Sequence, residues 1–394
     1  MKITFLRSTI CDAVAPLMSG ISGKTSLTVT EGILIEAKLP NLCRMTTFDL
    51  EKGVQLTIEA TVIEEGSAVI NASRFSQTVR AMEDGFITLT VDDKNGVKVT
   101  CGKASSTMSA MPASEFPDLP RLVSANGFTV PRRTLRGMIG KGLYAMGIND
   151  QRPFLNGMYM SITDGKLDIV SCDSFRMAVC STAAKTASQF EREGGLDIHF
   201  ILPNKSVGEL YKLLEVKNDS DGDEEEPQAL IHMFRKNIVF DLGGLVFFSR
   251  LIDAEYMDYN RVIIRNHTVK VQVERELLLG ALERASLITE EKLAGAVRSH
   301  VKLEVCESLL KVTAVSGAGS SYDELPVLHE GKDMVIAFNN RYLMDTLRAC
   351  RAEQITISMT SAMSSINIEP VLTEEELAAG DSDLFFLLPV RMKD

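Results

Sequence analysis

Along the chain, short runs of alternating apolar and polar residues give way to longer stretches with apolar positions three and four residues apart. Alternation marks half-buried strands, and the wider spacing marks amphipathic helices. One strand-to-helix passage recurs as Ile70-Asn71-Ala72-Ser73-Arg74-Phe75, Ile201-Leu202-Pro203-Asn204-Lys205-Ser206 and Ile336-Ala337-Phe338-Asn339-Asn340-Arg341-Tyr342. Its basic residue advances by 131 residues and then by 136. A second passage keeps the same phase: Ile3-Thr4-Phe5, Phe128-Thr129-Val130 and Val271-Gln272-Val273 each lead into a helical stretch. Solenoid units repeat every ~20–50 residues, so this period predicts three whole domains of one fold. Helices are predicted over 5–22, 73–83, 132–146, 204–215, 274–287 and 340–351. Hairpins are predicted over 86–101 around Asn95-Gly96, over 158–172 around Asp164-Gly165, and over 301–315 around Glu307-Ser308. Two helices against alternating strands in each third make an α+β fold. Polar, turn-prone boundaries near 124–127 and 265–268 predict domains 1–125, 126–266 and 267–394.

Charge changes the picture more than composition does. The chain of 394 residues carries a net charge of −11, which alone argues against a nucleic-acid partner. The six helical stretches, however, hold 14 basic and 8 acidic residues, so they carry +6 and the remainder −17. Helix propensity favours Glu as much as Lys and Arg, so it does not account for this sorting. A basic surface built from helices on an acidic body is the footprint expected for a polyanion partner. The acidic run Asn218–Pro227 reads as a solvated loop rather than a calcium site, and 373–381 as a second acidic insertion before the terminal strand.

The chemistry-bearing residues are scattered. Seven Cys, none as Cys-x-x-Cys, predict neither disulfides nor zinc and suit a reducing cytosol. Five dispersed His offer no metal-ligand spacing. No run approaches the ~20 apolar residues of a membrane span, and no cofactor is expected. Gly20-Ile21-Ser22-Gly23-Lys24-Thr25 lacks the first glycine of a phosphate loop, Met18 standing in its place. Cys172 and Asp173 have no histidine placed as a base. Asp49, Asp173 and Asp258 sit at comparable positions and read as turn or capping groups. The apolar end Leu384-Phe385-Phe386-Leu387-Leu388-Pro389-Val390 predicts a buried edge strand. From the residues alone three readings stay open: a DNA-encircling protein, a repeat-built scaffold without DNA, and an enzyme with a site between repeats.

Several ordered motifs carry a family resemblance. They are Ser114-Glu115-Phe116-Pro117-Asp118-Leu119, Phe154-Leu155-Asn156-Gly157-Met158, Cys172-Asp173-Ser174-Phe175-Arg176-Met177-Ala178-Val179-Cys180, Ser249-Arg250-Leu251-Ile252-Asp253, Asp258-Tyr259-Asn260-Arg261-Val262, Ala337-Phe338-Asn339 and Leu388-Pro389-Val390-Arg391-Met392. Over its whole length the chain resembles the bacterial DNA polymerase III β subunit, the sliding clamps. The resemblance implies three clamp domains, with helices lining a central channel and antiparallel sheets outside, in a cytoplasmic homodimeric ring around double-stranded DNA. It implies no catalysis. The implied DNA-contacting positions are Lys24, Ser73, Arg74, Asn149, Arg152, Pro153 and Phe154. The implied partners are the DNA polymerase III α subunit, the clamp loader, other polymerases and repair proteins, bound through linear peptides. Their pocket would be formed by Leu155, Cys172, Ser174, Phe175, Arg176, Met177, Met257, Arg261, Val262, Tyr342, Met363, Ser365, Leu388, Pro389, Val390, Arg391 and Met392, with Arg176 and Arg261 anchoring peptide carbonyls or carboxylates. Cys172, Ser174, Phe175 and Met257 depart from the usual hydroxyl residue, Gly, His and Pro, which makes the expected pocket more apolar. Met108, Leu287 and Ile288 match the subunit interface, where little charge remains in Gly317–Glu324, so closure should depend weakly on salt.

Overall fold

The computed structural model describes residues 1–21, 27–120, 127–163, 165–183, 197–216, 226–289, 300–317, 319–378 and 380–392. Lys24 and most of the 218–227 acidic run lie outside them. The first repeat runs β1 (Lys2–Leu6), α1 (Arg7–Leu17), β2 (Gly32–Lys38), β3 (Leu42–Phe48), β4 (Lys52–Glu59), β5 (Thr61–Glu64), β6 (Gly66–Asn71), α2 (Ala72–Ala81), β7 (Phe86–Val91), β8 (Gly96–Cys101), β9 (Ala104–Pro112). The second runs β10 (Gly127–Pro131), α3 (Arg132–Gly142), β11 (Gly157–Thr163), β12 (Lys166–Cys172), β13 (Arg176–Ala183), β14 (Asp197–Pro203), α4 (Asn204–Leu213), β15 (Gln228–Phe234), β16 (Asn237–Asp241), β17 (Leu245–Arg250). The third runs β18 (Val269–Glu274), α5 (Arg275–Thr289), β19 (His300–Cys306), β20 (Leu309–Ser316), β21 (Gly319–Pro326), β22 (Leu328–Glu330), β23 (Met334–Asn339), α6 (Asn340–Ala349), β24 (Gln354–Met359), β25 (Ile366–Pro370), α7 (Glu374–Ala378), β26 (Ser382–Leu387). Each predicted helix and hairpin falls on an observed one. The short α7 inside the 373–381 insertion is new; Thr373 and Glu376 cap it reciprocally.

Pairing repeats as well. In each third a central strand lies between the next strand and the one before the second helix: β2 between β3 and β6, β11 between β12 and β14, β19 between β20 and β23. All are antiparallel.

The chain nevertheless packs as two compact units. Described residues within 1–136 and 208–251 form one, and those within 137–183, 197–207 and 252–392 form the other. The second repeat is divided between them because strands pair across repeat boundaries. In the first unit β4 pairs with β17, Val54 opposite Phe247, within a 13-stranded sheet. In the second unit β13 pairs with β26, Met177 opposite Phe386, within a nine-stranded sheet. The terminal strand β26 is thus an interior strand, held by β13 on one side and β25 on the other, rather than the expected edge strand. Two flanking ladders satisfy its backbone, which is why so apolar an end can be buried.

Alternation does the rest. Val269, Val271, Val273, Ile355 and Ile357 are buried with Leu278, Leu282, Leu343 and Leu347 of α5 and α6. The intervening residues of the same strands face the other way.

Candidate functional site

In the second unit the turn from β12 to β13 is built around one carboxylate. Asp173 Oδ1 accepts the N–H groups of Phe175 at 3.0 Å and Arg176 at 3.1 Å, and its Oδ2 takes Arg176 Nε at 2.9 Å. This agrees with the turn role expected of Asp173, and Asp49 behaves alike. Asp258 does not: it lies in the connector after β17 and pairs with Arg261. The third repeat's corresponding turn joins β20 to β21. Ser174 takes φ +80°, a left-handed conformation that favours glycine, and its hydroxyl accepts a hydrogen bond from Arg152.

Around this turn the structure assembles an apolar cluster. Leu155, Cys172 and Met177 are buried with Val170, Ile263 and Phe386, and Met257 packs against them. Phe386, Tyr159, Tyr256 and Tyr259 were missed by sequence reasoning. Tyr159 and Tyr256 stack with ring centroids 4.6 Å apart, and Phe154 meets Tyr256 edge-on at 5.9 Å. The outward phase of β11 and β26 could have signalled Tyr159 and Phe386, whereas Tyr256 and Tyr259 lie on the connector, where no periodicity marks them. Burial drives the Tyr256 phenol well above its usual range, and the Cys172 thiol is raised mainly by burial too. A raised thiol pKa opposes a nucleophilic role for Cys172.

Beside the cluster, Phe175 is half exposed, its ring 6.0 Å from Tyr342. Arg176 lies 4.3 Å from the Tyr342 ring and 5.1 Å from the Tyr144 ring, and its Nη1 donates to Asp345 Oδ2 at 2.7 Å. With Nε on Asp173, two of its three nitrogens are engaged within the chain, so it braces the turn against α6 more than it offers itself to a ligand. Arg261 is the exposed cation, on the connector beside exposed Val262. Leu388 N donates to Phe175 O and Val390 N to Ala337 O, which lays the terminal Leu388–Met392 segment beside the turn. Leu388, Met392 and Met363 expose apolar surface, whereas Ser365 is buried.

The helical basic residues divide into two groups. Arg7, Lys141, Lys212, Arg284 and Arg348 are in ion pairs, and Arg132 donates to backbone carbonyls of Leu213, Glu215 and Leu242. Arg74, Lys205 and Arg341, the basic residues of the repeated passage, are exposed and form no ion pair among the described residues. Ser73 is exposed beside Arg74. Arg152 is bound to Asp150, Pro153 begins a short turn, and Asn149 takes φ +56°. Met108 lies on β9, Leu287 is 76% exposed on α5, and Ile288 lies against Gly319 at the start of β21.

Fold and pairing together define a repeat-built α+β protein whose second unit carries an apolar cluster beside a braced turn. Residues 1–120, 129–258 and 260–377 match the N-terminal, central and C-terminal domains of the DNA polymerase III beta subunit. The beta sliding clamp of Haemophilus influenzae is 30% identical, covering 94% of this chain and 96% of its own; that of Vibrio cholerae is 28% identical with both chains fully covered. The sliding clamp of Bacillus subtilis superposes with a TM-score of 0.89 at 23% identity, and that of Pseudomonas aeruginosa bound to griselimycin with 0.87 at 24%, both over the full length of both chains. The chain belongs to the DNA polymerase III beta-subunit family, the beta sliding clamps. It has the three-domain clamp fold and acts in DNA replication as a processivity subunit, not an enzyme.

Proposed function

We propose that two copies join head to tail into a ring around duplex DNA, and that linear peptides of the replicative polymerase, clamp loader and repair proteins dock on the apolar cluster. The domains would be 1–125, 126–266 and 267–394, and the site of action the cytoplasm; no helix among the described residues is long and apolar enough to cross a membrane. The observation that carries the ring is a pair of open strand edges. The fourth sheet strand of the first repeat, β4, pairs with the last strand of the second, β17; likewise β13 pairs with β26. Their third-repeat counterpart, β21, is the edge of a four-stranded sheet. The remaining counterpart, β9, meets β6 only through Ala110–Pro112, leaving 104–109 with one neighbour. Pairing β21 of one copy with β9 of another repeats the same junction and closes the assembly, and Met108, Leu287 and Ile288 would pack there. An unpaired edge strand is otherwise a liability.

Asp323 is engaged by Arg284 at 2.8 Å and Glu324 by Tyr322, so charge near this edge is satisfied within the copy and closure leans on apolar packing. Arg74, Lys205 and Arg341, with Lys24 and the 149–154 loop, would touch phosphates weakly enough to slide. After loading onto circular DNA the protein is expected to stay bound in high salt and to be lost when the circle is linearised. Equal retention on both forms overturns the encircling reading.

A further inference from the structure

We propose that Ser174 is a positioning residue for docking: its hydroxyl ties the 147–156 loop to the turn and so sets the gap between two walls of the apolar cluster. This rests on the docking reading above. One wall comes from the loop, which carries buried Leu155 and partly buried Phe154, its ring edge-on to Tyr256. The other comes from the turn, where Cys172 lies buried and Phe175 stands half exposed as a rim. Ser174 sits in the turn between Cys172 and Phe175.

The loop is braced within itself. Gly147 N donates to Leu155 O, Asp150 N to Asn156 Oδ1, and Asn156 Nδ2 to Asp150 O. The Asp150 carboxylate then aims Arg152, accepting its Nε and Nη2 at 3.0 Å each. Arg152 holds the Asp150 carboxyl down at about 2, so the pair stays charged at any working pH. The same Nη2 donates to Ser174 Oγ. Bonds inside the loop fix its shape, not its distance from the turn. Asn204 holds the start of the loop through Gly147 O, and burial of Leu155 holds its end. Among the described residues, the bond from Arg152 to Ser174 is the polar tie between loop and turn.

Backbone strain sets this tie apart from a merely structural bond. Ser174 takes φ +80°, which glycine adopts without strain and serine does not. The serine therefore works against stability, while its hydroxyl holds both walls in place before a peptide arrives. Stability and docking should respond to this side chain in opposite directions.

The test is fluorescence anisotropy with a short labelled peptide bearing Leu and Phe anchors, without DNA, beside urea unfolding of the same proteins. Ser174→Gly and Ser174→Ala are each expected to bind the peptide roughly threefold weaker, the size of one exposed hydrogen bond. Ser174→Gly should nonetheless unfold at no lower urea concentration than the parent. Arg152→Ala should lose the same roughly threefold, and Arg152→Ala with Ser174→Ala no more than either alone. Neither side chain is buried, so folding should survive. If the parent binds and Ser174→Ala binds equally well, the positioning role is overturned and docking stands. A loss of about ninefold in the double variant, the product of independent effects, overturns it too. So does a Ser174→Gly protein that loses stability in step with affinity. If the parent binds no peptide, docking itself fails, and this role with it.

Discussion

Two turns at equivalent places in the first and second repeats share a backbone and differ in what their side chains present. Asp49-Leu50-Glu51-Lys52 and Asp173-Ser174-Phe175-Arg176 share one backbone device. Each Asp accepts the N–H groups two and three residues on and pairs with the basic side chain. The second residue of each is left-handed, at φ +78° and +80°. Each third residue accepts a backbone hydrogen bond from the chain leaving the neighbouring repeat's last strand, Arg250 N to Glu51 O and Leu388 N to Phe175 O.

The side chains then diverge. Phe48 precedes the first turn and packs on Phe248 with centroids 5.5 Å apart, above Gly53, where a Cβ would come within 2.3 Å of the Phe248 ring. Cys172 and Met177 hold the corresponding places at the second turn. Phe175 replaces Glu51, and Arg176 reaches across to α6 where Lys52 is buried under Ser19 O. Phe48 and Gly53 of the first joint become Cys172 and Met177 in the second, while Phe386 keeps the place of Phe248, so one ring of the pair is exchanged for smaller and more flexible side chains. The same fold position thus seals a joint in one place and, on the proposed reading, serves recognition in the other.

Breaking the carboxylates should separate the turns most widely. Asp49 and Lys52 expose only 6% and 8% of their side chains, so Asp49→Ala strands a buried ammonium and should cost about 3 kcal/mol. Asp173→Ala leaves Arg176 paired with Asp345 and should cost about 1–2 kcal/mol. Urea unfolding measures both, and equal losses would refute the division of roles. A smaller effect of opposite sign tests the shared backbone. Leu50→Gly should gain up to about 1 kcal/mol by relieving left-handed strain. Ser174→Gly should gain less, because it also forfeits the hydrogen bond from Arg152.

This contrast also marks what could be read from residue order. The three repeats, six main helices and hairpins were legible because periodicity is local, and Asp49 and Asp173 were legible as turn residues because they share a phase. Asp258 follows Asp173 by only 85 residues, against 124 between Asp49 and Asp173, so it is out of phase with them and falls in the connector. The neighbours of β26 were not legible, because strand order depends on contacts across repeats. Charge counting found the basic helices, yet could not tell Arg74, exposed and without an ion pair among the described residues, from Arg132, which is spent on backbone carbonyls far along the chain. In the apolar cluster Cys172 and Met177 came from resemblance, whereas the tyrosine stack needed the fold of the connector.

The gentlest probe of the comparison is the thiol that replaces a phenyl ring. Cys172 is 7% exposed, and burial raises its pKa above the ordinary 9.0, a change that the Ser174 N–H, 3.4 Å from Sγ, only partly offsets. A raised pKa means less thiolate at neutral pH, and the thiolate is the form that reacts. Alkylation by iodoacetamide at pH 7 should therefore be slower at Cys172 than in an unstructured cysteine peptide. Its rate should climb about tenfold per pH unit until the raised pKa is reached, past the point at which the free peptide levels off. Mass spectrometry of the labelled cysteine gives both rates. A docked peptide should slow the reaction further by covering the cluster, whereas Asp173→Ala should speed it by loosening the turn above the sulfur. Fast labelling at neutral pH would mean that the second joint is open and hydrated, not a buried apolar surface awaiting a partner.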